Sequence, residues 1–69
     1  MIGFTDIYGN RHWASPMQVV QVFETKTPKR WFVDLRGDDN CIEIDEDTMH
    51  SVRNAVSSWL ADMAPKGAL

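Results

Sequence analysis

Residues 27–40 read TPKRWFVDLRGDDN. Two basic residues precede Trp31 and Phe32, a third follows at Arg36, and the chain then turns acidic. As a strand, the segment alternates: Trp31, Val33 and Leu35 point one way, and Phe32, Asp34 and Arg36 the other. Pro28 has no N–H to give to a sheet ladder, so it belongs in a turn before the strand. The RGDDN stretch supplies the turn after it. This predicts a strand bounded by two charged turns, with one face available for a core and Phe32 on the other.

The same pattern extends towards the amino terminus. IGFTDIY, HWAS, QVVQVFET and CIEI are short apolar segments separated by GNR, Pro16, KTPK and RGDDN. Short strands with turn signals between them read as an antiparallel meander of about four strands over residues 2–44. Gly9-Asn10 offers the positive φ of a tight hairpin. After residue 45 the period becomes helical, with Met49, Val52, Val56, Trp59, Leu60 and Met63 forming one stripe. Asp45 or Asp47 can cap the helix start. Pro65 and Gly67 predict its end near Ala64, with a frayed tail at 65–69. The expected fold is α+β: one small domain over 1–69, an antiparallel sheet with one carboxy-terminal helix on one face.

Composition bounds the function. A chain of 69 residues buries only about 60% of the surface it exposes when unfolded. Small domains of this size often gain a disulfide, a metal or a partner subunit. Cys41 is the only cysteine, so no internal disulfide can form. The opening MIGFTDIYGN has neither the basic start nor the apolar centre of a signal peptide, and no run of 18 apolar residues exists. The sequence therefore reads as a cytoplasmic chain with no membrane partner. Net charge is −3, which gives no general attraction to nucleic acid. Charge is uneven, however. Lys26, Lys29, Arg30 and Arg36 against Asp34 give +3 over residues 26–36, while Asp38, Asp39, Glu43, Asp45, Glu46 and Asp47 give −6 over residues 38–47.

The order of elements resembles the small FlbD-like (SwrD) proteins associated with bacterial flagella. Ile2, Phe4, Thr5, Ile7 and Gly9 occupy the family's opening pattern, Ser15-Pro16 its corner, Gly37 its later turn and IEIDED the last strand entering the helix. The similarity runs over about residues 2–60. Phe4 stands where leucine is usual, HWAS is more aromatic, and the helix is longer. The resemblance implies a non-enzymatic accessory role and supplies no catalytic residues.

Little in the chain reads as chemistry. His12, Cys41 and His50 are the soft metal-ligand candidates, yet no CxxC or HxxxH spacing is present. DDNCIEIDED lacks the spaced oxygens and central glycine of a calcium loop. No spacing brings either histidine to Cys41 for nucleophilic catalysis. No metal, cofactor or enzymatic activity is expected. The favoured reading is a protein-interaction module, a homodimer or a small regulatory, adaptor or inhibitory chain of the kind phages encode. The expected contact residues are Phe32, Trp31, Arg30 and Lys29, with Trp13 as a peripheral aromatic and Asp38 and Asp39 as a charged rim. Aromatic and arginine anchors dominate interface energetics. Alternation assigns Trp31 to the core, so its membership is in tension with that of Phe32. The alternative reading is nucleic-acid binding, with the basic residues on phosphates and Trp31 or Phe32 stacked on a base.

Overall fold

The computed structural model describes residues 1–63. It is an α+β fold built from antiparallel strands and one carboxy-terminal helix. The strands are β1 (Ile2–Thr5), β2 (Arg11–Ala14), β3 (Val19–Lys26), β4 (Lys29–Leu35) and β5 (Ile42–Ile44), followed by α1 (Glu46–Met63). The expected meander is divided in two: β1 and β2 form a hairpin of their own, and β3, β4 and β5 form a three-stranded sheet in sequence order. A backbone hydrogen bond from the Ile7 N–H to the Glu43 carbonyl, at 3.1 Å, joins the hairpin loop to β5. The expected helix end at Ala64 and the tail at 65–69 lie outside the described residues, as does the side chain of Met63.

Alternation explains the hairpin. Ile2 and Phe4 face inward and are buried, opposite Ala14 and His12, while Gly3 and Thr5 face outward opposite Trp13 and Arg11. The connection is longer than a two-residue turn. The Asp6 side chain organises it: its Oδ1 accepts from the backbone N–H groups of Tyr8 and Asn10, each at 2.9 Å. Gly9 adopts φ +88°, a conformation that costs a residue with a Cβ. Positive φ thus falls on Gly9 alone, not on the Gly9-Asn10 pair.

The corner after β2 is a 3-10 turn, Pro16–Gln18. Ser15 Oγ accepts from the Met17 N–H at 3.3 Å, and Gln18 Oε1 reaches back to the Ser15 N–H at 2.8 Å. These reciprocal bonds satisfy backbone donors that the turn would otherwise leave open. The Gln18 carbonyl then accepts from the Arg36 N–H at 2.7 Å, tying the corner to the end of β4.

Val33 is fully buried and Ile44 and Val52 nearly so, and with Ile2 and Phe4 they form the core. Trp31 and Leu35 pack against this cluster, so the alternation read from residues 31–35 holds. α1 packs across β1, β3 and β4. Its cap is Asp45, whose Oδ1 accepts from the Thr48 N–H at 2.7 Å. That hydrogen bonding, from the Thr48 side chain foremost, holds the Asp45 carboxyl below its ordinary pKa. Met49, Val52 and Val56 of the stripe meet the sheet, Trp59 is half-buried, and Leu60 is 55% exposed. An 18-residue helix is about 27 Å long. It outruns β4, whose seven residues span about 23 Å.

Candidate functional site

One helix covers one side of the three-stranded sheet, which leaves the other side as the candidate site. β3 and β4 pair with Phe23 opposite Phe32, and β5 places Glu43 on the other side of Phe32. Directly paired residues share a face. The outer face therefore carries Phe23, Phe32 and Glu43 in one row, with Thr25 and Arg30 in the next and Gln21 and Asp34 on the far side. The two phenyl rings stack, with centroids 5.2 Å apart and planes 19° from parallel. Each ring shields the other, and both are half-buried. Arg30 Nε lies 3.8 Å from Glu43 Oε2, so the aromatic row ends in an ion pair.

The residues expected to form one contact surface are distributed over several. Phe32 and Arg30 share the outer face. Trp31 and Lys29 lie on the helix side, where Lys29 Nζ sits 5.8 Å from the Trp31 ring centroid and 3.7 Å from Glu24 Oε2. Among the described residues, the buried Trp31 Nε1–H has no hydrogen-bond partner. Trp31 and Phe32 thus point in opposite directions and do not share a contact patch. Trp13, 62% exposed, lies on the outward side of the β1–β2 hairpin. Its indole covers Gly3, where an added Cβ would lie 3.4 Å from Trp13 Cδ1 and Nε1, and the Arg11 guanidinium sits 5.4 Å from its centroid. Asp38 and Asp39 are exposed in the turn after β4, roughly 20 Å along the strand from Lys29 and Arg30. They do not rim the aromatic row.

Phe23 and Glu43 are the residues of this face whose place depended on strand register. Phe23 belongs beside Phe32 only when the turn is fixed at Thr27 and Pro28, which makes Lys26 and Lys29 the closing pair. Glu43 required the β4–β5 register.

The strongest electrostatic feature lies in the hairpin loop. Asp6 is only 8% exposed and its Oδ2 is 2.8 Å from His12 Nε2. A carboxylate only accepts, so this nitrogen donates. The His12 bond, opposed by partial burial and reinforced by the N–H groups of Asn10 and Tyr8, lowers the Asp6 pKa to about 2. The His12 ring in turn stacks on Phe4, with centroids 5.1 Å apart. This links the loop to the core. A carboxyl whose pKa is depressed on folding contributes stability that is fully present above its unfolded value and lost as pH falls through the folded one. The contribution of Asp6 should therefore disappear between about pH 4 and pH 2. Asp6→Asn is expected to melt below the wild type at about pH 5, with the gap narrowing towards pH 2. Thermal melts at both pH values check this, and a gap that stays constant would contradict it.

Among the described residues, no group of three or more His, Cys, Asp and Glu residues comes together to hold a metal ion. Among them, too, no helix is long and apolar enough to cross a membrane. Comparison with protein-family models, curated proteins and solved structures finds no match for the chain. The functional reading therefore rests on the residues and their geometry.

Proposed function

We propose that the chain is a non-enzymatic protein-interaction module, a small cytoplasmic regulatory, adaptor or inhibitory protein that binds another protein through the outer face of its three-stranded sheet. The observation that carries this reading is the Phe23–Phe32 stack on the side of the sheet opposite the helix. Stacked aromatics offer rigid apolar area at low entropic cost, and a neighbouring arginine adds directional donors. Arg30 and Glu43 at the end of the row give a partner charges of both signs to match. An accessory role of the kind implied by the FlbD-like resemblance agrees with this reading, as does an inhibitory one. Self-association into a homodimer is its simplest form.

Nucleic-acid binding is disfavoured by the pairing of the basic residues. Arg30 faces Glu43 and Lys29 faces Glu24, so two of the three basic residues at this turn already sit beside carboxylates that would repel a phosphate chain. Single-stranded oligonucleotides are expected to show no binding at low salt. Binding that falls steeply with salt and is lost in Arg30→Glu would reverse the choice.

A further inference from the structure

We infer that the partner is a second copy of this chain, joined edge to edge through β3. The inference rests on the interaction reading above and names its partner. β3 is a terminal strand of its sheet and, with eight residues, the longest strand described. Among the described residues, no backbone hydrogen bond outside its ladder with β4 involves residues 20–26, and Val19 gives its N–H to the Pro16 carbonyl of the corner. Such an edge is a template for another strand unless it is short, covered or charged along its length. Its centre is Val22-Phe23, and its one bulge lies at the far end, between Val19 and Gln21.

In an antiparallel ladder, alternate residues of an edge strand turn their N–H and C=O groups outward. The Arg36 N–H bonds the Gln18 carbonyl, so Asp34, Phe32 and Arg30 turn towards β3 and bond Gln21, Phe23 and Thr25. The Glu43 carbonyl, opposite Phe32, accordingly turns away from β4 to accept from Ile7. The outward residues at the centre of β3 are therefore Val22 and Glu24. A two-fold axis at Phe23 satisfies both: Val22 pairs with the second copy's Glu24 and Glu24 with its Val22, with the two Phe23 residues side by side between them. The outer face then becomes a row of four phenyl rings, running from Phe32 and Phe23 to their equivalents in the other copy. The sheet grows from three strands to six.

Charge complementarity on the helix side selects the same register. Val22 and Glu24 face the helix, opposite Val33 and Trp31. A shallow groove of 140 Å³ runs there between β3 and α1, lined by Val22, Glu24, Trp31, Met49 and Arg53, with Phe23 at its edge. Arg53 also lines the neighbouring groove with Val19, Val20 and Val22. Among the described residues, it makes no ion pair with an acidic side chain. Pairing about Phe23 sets the second copy's Glu24 directly opposite Val22 and beside Arg53. Symmetry repeats the contact, so each copy exchanges one Glu24–Arg53 pair with the other.

The test is sedimentation equilibrium on the full chain as wild type, Glu24→Arg, Arg53→Glu and the double variant, with circular dichroism confirming that each is folded. Both positions are exposed, so the fold should survive. Wild type should dimerise at micromolar concentrations. Each single variant should dimerise at least about tenfold more weakly, because every change occurs twice and sets like charges together. The double variant should return close to wild type. A wild type that stays monomeric throughout, a dimer indifferent to both single changes, or a double variant that fails to recover would each overturn β3 pairing. None of these results would by itself refute the broader reading, which fails only if Phe32→Ser leaves binding untouched or unfolds the chain.

Discussion

Ile44→Ala is expected to leave much of the chain unfolded at room temperature. Ile44 is 1% exposed and packs with Phe4, Val33 and Val52 where the two sheets and the helix meet. It also ends β5, a strand of three residues, opposite Trp31 of β4. Truncating such a side chain costs about 2–5 kcal/mol through lost burial and the cavity left behind. A domain of 69 residues has a total stability of roughly 3–10 kcal/mol. The loss is thus a large part of the whole. Urea unfolding followed by circular dichroism measures it, and a loss below about 1 kcal/mol would mean that the core is centred elsewhere.

Phe32→Ser should do the opposite, weakening association far more than folding. Phe32 is next to the fully buried Val33 in sequence but points to the other side of the sheet, against Phe23. The change removes half of the stacked pair and puts a hydroxyl on a surface that a partner would dehydrate. Removal of an aromatic anchor at an interface typically costs 2 kcal/mol or more, or about thirtyfold in affinity. The folding cost should be the smaller of the two because the ring is only half-buried. Unfolding curves and binding or self-association isotherms on the same preparation separate these effects. A variant that loses its fold would place Phe32 in the core.

Much of this architecture is legible in the residues themselves, because strand and helix periods differ and the change comes once, near residue 45. The division of Trp31, Val33 and Leu35 from Phe32 also follows from period two alone. What is less legible depends on contacts between elements. Strict alternation through VVQV would put Val20 with Val22; the bulge between Val19 and Gln21 instead leaves Val20 56% exposed while Val19 packs against the core. The split into two sheets follows from the corner at Ser15–Gln18 and the loop organised by Asp6, whose hydrogen bonds are local but whose effect on pairing is not.

The candidate site divides in the same way. Phe32 on the outer face was readable from alternation. Glu43 beside it, and the ion pair with Arg30, required the register of β5. Asp38 and Asp39 stand close to Phe32 in sequence, yet the rise along β4 carries them to the opposite end of the sheet, away from Lys29 and Arg30. Sequence proximity is a poor guide to a shared surface along a strand, where each residue advances the chain by about 3.3 Å.

The central claim is that the face used for folding and the face used for association are separate sides of one sheet. Light scattering across a concentration series, with wild type and Phe32→Ser measured side by side and each paired with a urea melt, tests it most directly. The expected result is a wild type whose mass rises from monomer towards dimer and a Phe32→Ser chain that stays monomeric with little change in its melt. A Phe32→Ser chain that unfolds, or one whose mass follows the wild type at every concentration, would contradict the claim.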